Sequence, residues 1–448
     1  MHVTIRRGLD LPLVGVPQQR IHAARRGGSV ALLGADYVGL VPSMTVQEGD
    51  RVALGETLFV DKRSPQVRYT APGAGIVRSI RRGVRRALQA VIVDLDGEDE
   101  IHFNAYAAEA LGSLSRDQVV ENLTTSGLWT ALRTRPYGKI PDPASEPAAL
   151  FVNAMDTNPL AARPAVVLAE TGEDFAHGLA VLARLTAGRL FVCCDPETTP
   201  PLPAAENVVR ASFAGPHPAG LVGTHIHFLA PVGAQRTVWY LDYQDVIAVG
   251  RLFTTGRLVP ERVVALGGPT VMKPRLLRTQ LGASVRELTA GELDAVECRV
   301  LSGSALSGRR ATDWAAYLGR YHSQITVLPE GRERELFGWL SPGRSKFSAS
   351  RVLLSNLLRP RSFRMTTSQN GSPRAMVPIG AYERVMPLDL LATPLLRALL
   401  VHDTDRAQAL GALELEEEDL ALLSFVCPSK HDFGPVLRAN LELIEREG

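Results

Sequence analysis

Cysteine is scarce in this chain: among 448 residues there are only Cys193, Cys194, Cys298 and Cys427, and no two of them are separated by two residues. An iron–sulfur cluster needs about four thiolates, usually in a C-x2-C-x2-C run, so the chain reads as carrying no metal redox centre of its own. Four scattered cysteines also make no disulfide framework. Adjacent Cys193 and Cys194, in the apolar string RLFVCC, read as inert residues of a buried strand. Charge of one sign is equally lacking. Lys plus Arg total 49 against 47 for Asp plus Glu, a balance of +2, which offers no extended basic surface for nucleic acid.

Long apolar runs are missing too. The N-terminus, MHVTIRRGLDLP, has no apolar stretch of the secretory kind, so a cytosolic protein is expected. The most apolar window, LLATPLLRALLV at 390–401, is broken by Thr393, Pro394 and Arg397 and falls short of the roughly 20 residues that span a bilayer. Membrane association would have to run through partners or the surface. No G-x-G-x-x-G opens a helix after a strand, and Gly303 to Gly308 leads into Arg309 and Arg310 where a phosphate loop needs Lys and then Ser or Thr. Neither NADH nor a nucleoside triphosphate has a fingerprint here.

What is present is a succession of textures, predicting an α/β multidomain chain of about four units. Residues 1–104 contain short β-runs, VQEGDRVALGETLFV, TAPGAGIVRSI and ALQAVIVDL, with turns at Gly49–Asp50, Gly55 and Gly73–Gly75. This unit resembles a biotinyl/lipoyl-type barrel sandwich. In that family a hairpin-tip lysine carries the cofactor; Lys62 falls near that place, but Arg63, Ser64 and Pro65 make the loop wide and charged, so it reads as an unmodified lysine.

Residues 105–258 alternate helical and strand-like pieces, as in EPAALFVNAM, DFAHGLAVLARLTAG and RLFVCCD, predicting a Rossmann-like parallel α/β domain. Its clearest strand, ALFV, ends at Asn153 and opens into NAMDTNP, at the carboxyl end where open sheets place ligands. Residues 259–330 hold strands too close together for helical crossovers, which predicts a small mixed sheet of β-grasp (SLBB-like) type. From 331 the chain is basic and loop-rich, and from Pro387 helical. In the last helix Pro435 suits the first position, and Leu437, Leu441 and Ile444 form one apolar face. The acidic run Glu414 to Asp419 reads as the solvated face of a helix, with no ion site.

Two stretches carry candidate chemistry. GPHPAGLVGTHIHFLAPVG at 215–233 holds His217, His225 and His227; on a strand the last two share a face and could chelate a metal, yet no carboxylate or cysteine nearby completes a tetrahedral site. They read as structural or interface histidines. The following VWYLDYQDVIAVGRLFTTGRL offers Trp239, Tyr240, Tyr243 and Phe253 with Gln244 and Asp245 between them. Such a composition suits either ordinary core or a quinone-ring pocket. The residues assigned to that pocket are His225, His227, Phe228, Tyr243, Gln244 and Phe253.

Taken together, RRGLDLP at 6–12, SGLWTALRTRPYGKIPDP at 126–143, VNAMDTNPLA at 152–161, GTHIHFLAPVG at 223–233, YQDVIAVG at 243–250, MVPIGAYERVMPLD at 376–389 and FVCPSKHDFGPVLRANLELIEREG at 425–448 resemble, in collinear order over nearly the whole chain, the A subunit of the sodium-translocating NADH:quinone reductase. The resemblance implies a peripheral subunit on the cytoplasmic face of the bacterial inner membrane, within a six-subunit respiratory complex. In that complex electrons pass from NADH to ubiquinone as sodium is exported, and partner subunits carry FAD, FMN, riboflavin and Fe–S groups. The A subunit is associated with the quinone-reducing end.

The family is distantly similar to the flavin-binding NADH-oxidising subunit of complex I and to an iron–sulfur subunit of Rnf-type complexes. Their glycine-rich flavin loop corresponds here to Gly127 to Gly138, with few glycines. Their acidic loop corresponds to Asn153 to Pro159, in which Asn153, Asp156 and Thr157 remain as a degenerate ligand loop. Their cysteine run shrinks to Cys427. The resemblance thus implies a scaffold binding no flavin, cluster or metal, with no catalytic residue of its own. Three readings follow: a contributor to quinone reduction, with the cleft between the α/β and β-grasp domains as its site; a purely structural docking subunit; and, last, an Rnf-type electron carrier.

Overall fold

The computed structural model describes residues 1–333, 340–350, 352–358 and 362–447. Ser29–Leu33, Leu88–Leu95, Gly75–Arg82 and Arg51–Val52 form one antiparallel sheet, and Pro42–Met44, Thr57–Asp61 and Ser64–Thr70 another. Strand alternation sends Val77, Val91, Val93, Phe59, Val67 and Tyr69 into a shared core, as a two-sheet unit with one wet face per strand requires. Gly49 and Gly55 take positive φ of 94° and 85° at its turns. Lys62 stands exposed at the tip of the Thr57–Asp61/Ser64–Thr70 hairpin. The expected wide loop is instead a two-residue turn. Ser64 and Pro65 already belong to the returning strand, because Arg63 N–H donates to Asp61 Oδ1 at 3.0 Å and Lys62 N–H to the Val41 carbonyl at 2.9 Å.

The first 23 residues, expected within the barrel unit, serve the other two sheets. His2–Thr4 pairs in parallel with Val208–Ala214, and Gln18–Ala23 with Arg275–Gln280. An edge strand exposes unpaired N–H and C=O groups, and this N-terminal ribbon covers one edge of each sheet.

In the α/β domain the sheet runs His2–Thr4, Val208–Ala214, Arg189–Cys194, Ala149–Ala154, Val238–Asp242, Arg133–Arg135, parallel throughout except for the last pair. Its central strands are continuously apolar because both faces are covered. On one face lie the helices Pro164–Leu182 and Tyr243–Thr255, on the other Val222–Leu229. The first two helices touch backbone to backbone: a Cβ on Gly178 would lie 2.0 Å from the Val246 carbonyl oxygen, and one on Gly250 1.9 Å from that of Asp174. Adjacent Cys193 and Cys194 point to opposite faces, and both are buried.

The third sheet, Arg309–Arg310, Cys298–Ser302, Gln324–Pro329, Glu261–Gly267, Arg275–Gln280 and Gln18–Ala23, mixes parallel and antiparallel pairs. It is the mixed sheet expected from the close strand spacing.

The C-terminal helices Ala392–Leu400, Thr404–Ala409, Glu417–Val426 and Phe433–Glu447 enclose a core that includes Leu437, Leu441 and Ile444. Phe433, not Pro435, opens the last helix; a proline at the third position is tolerated because first-turn N–H groups have no intrahelical acceptor. Cys427 is buried here, with its Sγ 3.1 Å from Tyr382 Oη.

The acidic run is the largest departure from expectation. Glu416 and Asp419 are buried, not solvated. Glu416 forms a capping box with Asp419 at the start of Glu417–Val426, and both face Arg133 and Arg135, which lie on the same side of the sheet-edge strand Arg133–Arg135. Arg135 is wholly buried; its Nη1 donates to Asp419 Oδ2 and to the Glu414 carbonyl, each at 2.7 Å, and its Nε is 3.0 Å from Glu416 Oε1. Tyr240 donates its hydroxyl to Glu416 at 2.6 Å, and the Arg133 guanidinium stacks 4.6 Å from the Tyr240 ring centroid. Arg438 adds a fork to Glu417 and a bond to the Tyr137 carbonyl.

Breaking a buried ion pair from one side typically costs about 3–5 kcal/mol, because the remaining charge is stranded. Arg135→Met is therefore expected to loosen the C-terminal helices from the α/β domain. Limited proteolysis should cut R135M between the two at least about tenfold faster than wild type, and equal resistance would refute the anchoring role.

Candidate functional site

In chain order the four central strands of the parallel sheet stand third, second, first, fourth, so the order reverses between Ala149–Ala154 and Val238–Asp242. Open α/β sheets bind ligands outside the carboxyl ends at such a point. The residues there are Asn153 to Thr157 on one side and Asp242 to Asp245 on the other, and their own contacts fill the crevice. Asn153 Nδ2 donates to the Gly220 carbonyl at 3.1 Å, and Asp156 Oδ1 accepts from Asn158 N–H and Nδ2 at 2.8 and 3.0 Å. Thr157 Oγ1 accepts from Gly220 N–H at 2.9 Å and lies 3.2 Å from His217 Nδ1.

Asp242 caps the helix Tyr243–Thr255 through Gln244 N–H at 2.9 Å. Gln244 then behaves as a short strand: its amide donates to the Val263 carbonyl at 2.9 Å and accepts from Val263 N–H at 2.8 Å. Asp245 holds two arginines of the β-grasp domain, Arg262 and Arg320, the latter at 3.0 Å. One helix start thus stitches two domains together. Burial pushes the Asp156 carboxyl up to about 6 and the Asp242 carboxyl up to about 7, with Asp245 reinforcing the second.

Beside this stitch the barrel, α/β and β-grasp domains leave a cleft of about 60 Å³. Its walls include Leu54, Tyr69, Leu128, Leu258, Leu281 and Leu318, and Asp36, Thr70, Ser126, Thr130 and Arg320 supply polar groups. An aromatic wall runs behind it. Tyr37 packs edge-on to Tyr69 at 4.8 Å and to Tyr321 at 6.4 Å; Tyr321 donates to the Thr130 carbonyl at 2.8 Å and stacks under Arg133 at 4.2 Å. Arg133 therefore lies between this wall and the buried acidic cluster.

The residues assigned from sequence to a quinone pocket do not converge on it. His225 and His227 stand on the helix Val222–Leu229, not on a strand, and two residues apart on a helix means nearly opposite faces. His225 is buried against Phe213 and donates from Nε2 to the Ala219 carbonyl at 2.9 Å; burial lowers its pKa to about 4. His227 accepts from Asp389 N–H at Nε2, 3.0 Å, so its proton sits on Nδ1, which donates to Glu414 at 2.7 Å. It is a docking residue for the C-terminal domain. Phe228, beside it, is exposed. Tyr243 and Phe253 are core residues on the other face of the sheet. Among the described residues no group of three or more His, Cys, Asp or Glu is disposed to hold a metal.

The degenerate flavin stretch is occupied in a different sense. A Cβ on Gly127 would lie 2.4 Å from Thr70 Oγ1, and one on Gly138 2.6 Å from Glu416 Oε1. These glycines admit neighbouring side chains rather than a phosphate, so the residues present do not fit a flavin there. The sequence led to the expectation of a cleft between the α/β and β-grasp domains; this one is walled by the barrel as well, and its lining residues were not singled out because they come from three domains. Part of that lining is contiguous in sequence, as in the interdomain string Leu258-Val259-Pro260.

Comparison with known proteins identifies the family. The description "NqrA N-terminal barrel-sandwich hybrid domain" matches residues 3–96, "NqrA second alpha/beta domain" 114–258 and "NQRA C-terminal domain" (SLBB) 263–313. The chain is 58% identical over 446 residues to the A subunit of the Na(+)-translocating NADH-quinone reductase of Pseudomonas aeruginosa, and 57% and 55% identical to those of Neisseria gonorrhoeae and Cellvibrio japonicus, covering 100% of both chains in each case. The chain belongs to the NqrA family, the A subunits of Na(+)-translocating NADH-quinone reductases. The family models recognise the barrel sandwich, the α/β domain and the SLBB domain in the order expected from sequence. Among solved structures, an air-oxidised NAD+-reducing NiFe hydrogenase is 16% identical, with a TM-score of 0.40 over 75% of this chain and 65% of that one.

The raised carboxyls make a pH prediction. A carboxyl whose folded pKa lies above its unfolded value penalises the fold increasingly as pH climbs from about 4 through the folded value, here about 7 for Asp242. Asp242→Asn keeps the helix cap and removes that titration. Its melting temperature relative to wild type should rise by about 2 °C or more between pH 5 and pH 8; a pH-independent difference would contradict the assignment.

Proposed function

We propose that this chain is a peripheral subunit of a sodium-translocating NADH-quinone reductase complex, sitting at its quinone-reducing end on the cytoplasmic face of the membrane. It binds no flavin or cluster of its own. No helix among the described residues is long and apolar enough to cross a membrane, and the glycine positions that would cradle a flavin phosphate face Thr70 and Glu416. NADH oxidation and the flavin and Fe–S chemistry fall to the partner subunits of a six-subunit complex, so the isolated chain has no NADH dehydrogenase activity.

One observation carries the quinone assignment: the three-domain cleft, with its apolar walls and a few convergent polar groups. A quinone headgroup presents an apolar ring with two carbonyl acceptors, which matches leucine and tyrosine walls with the Arg320 guanidinium as a donor. The pocket residues expected from sequence have different work in this reading. Gln244, together with its neighbour Asp245, holds two of the cleft's three flanking domains in register, and His227 holds the C-terminal domain. A purely structural docking role is the second reading, favoured by the buried Arg135 network.

The two separate in the assembled complex. Leu258→Trp should fill the cleft and lower kcat/KM for ubiquinone by about tenfold or more, while NADH-driven reduction of a water-soluble artificial acceptor stays within about twofold. Unchanged quinone kinetics in a complex containing the variant would dismiss the cleft and leave the docking role.

A further inference from the structure

We propose that the described residues between 340 and 379 form a lipid-contacting surface that seats this chain directly on an anionic bilayer, beyond its contacts with partner subunits and independently of the cleft assignment. Between Leu336 and Tyr382 the chain carries seven arginines and lysines and no aspartate or glutamate, although the chain as a whole is nearly neutral. Of these basic residues Arg344, Arg364 and Arg374 are exposed. In the same segment Leu340, Val352, Leu357 and Leu358 are 64%, 76%, 78% and 52% exposed.

The exposure is built. The segment folds back on itself through Leu354 N–H to the Pro342 carbonyl at 2.8 Å and Ser355 Oγ to the Lys346 carbonyl at 2.6 Å. Phe347 roots the loop by packing against Phe363 at 5.5 Å and Phe425 at 6.1 Å, and Phe363 is tied by its N–H to the Pro12 carbonyl at 2.7 Å. The aromatic root faces the protein while the leucines face out.

Side chains three-quarters exposed stand on a protrusion and cannot line a groove that receives a partner helix. Apolar tips flanked by cations only are the pairing an anionic lipid interface selects: the tips enter the acyl boundary and the cations meet the headgroups. Neither signal suffices alone, and here they share one segment.

The test is flotation of the full-length chain with vesicles of phosphatidylglycerol and phosphatidylcholine mixed, or of phosphatidylcholine alone. The chain should float with the first and not the second, and release when salt rises from about 0.1 M to about 1 M, where the screening length falls from about 10 to about 3 Å. Leu357→Ser/Leu358→Ser and, separately, Arg344→Gln/Arg364→Gln/Arg374→Gln should each weaken binding about tenfold or more, with melting temperatures unchanged because all five side chains are exposed. Failure to float with anionic vesicles, or wild-type flotation by both variants, overturns the proposal. So does loss of complex assembly in the arginine variant without vesicle binding by the wild type, which would mark an acidic protein surface as the occupant.

Discussion

The placement of Arg135 in a region without water conditions much of this molecule. A guanidinium cannot lose its proton, so burying it demands carboxylates at hydrogen-bond distance. They come from a helix some 280 residues further along the chain, through Glu416 and Asp419. Burial opposes ionisation of Glu416, but Arg135 and Arg133 outweigh it and hold its carboxyl below the usual range. Glu418, in turn, is raised by burial and by the neighbouring Asp419. Asp419 is likewise raised, chiefly by burial although Arg135 opposes it, so of the three carboxyls Glu416 alone is drawn toward ionisation. The arrangement also dictates a glycine: a Cβ on Gly223 would lie 2.2 Å from Asp419 Oδ1, so the helix Val222–Leu229 can approach the cluster only without a side chain there.

From this anchor the contacts run inward. Arg133 lies between Tyr240, bonded to Glu416, and Tyr321, which forms part of the cleft's aromatic wall. On the other flank Gln244 and Asp245 bind the strand Glu261–Gly267 and Arg320. The cleft is therefore bounded by domains held to one another through specific polar bonds, not by apolar contact alone. Polar stitching of this kind fixes orientation in a way that apolar contact does not, since hydrogen bonds are directional and leaving one unmade is costly.

Local pattern was informative wherever the physics is local. Glycine turns, the alternation of the barrel strands, the ALFV strand ending at Asn153 and the Leu437, Leu441, Ile444 stripe all follow from backbone geometry and period, and the folded chain has them. The strand placement considered for His225 and His227 does not hold because a short apolar run carries no clear period: THIHFL is compatible with strand or helix until its neighbours are known. The acidic run misled for another reason. Consecutive carboxylates normally face solvent, and only partners remote in sequence can reverse that.

The amino-acid sequence by itself determined the kinds and order of the domains, the family, and the absence of a nucleotide fingerprint or a cysteine run, because these depend on residue identity and short-range spacing. Tertiary structure alone decided which charges are buried, that the first 23 residues complete two sheets outside the barrel, and that a cleft opens where three domains meet. Those features depend on pairings between residues hundreds of positions apart, such as Arg135 with Asp419 and Asp36 with Arg320. No periodicity encodes such pairings; they exist only once the chain has closed on itself.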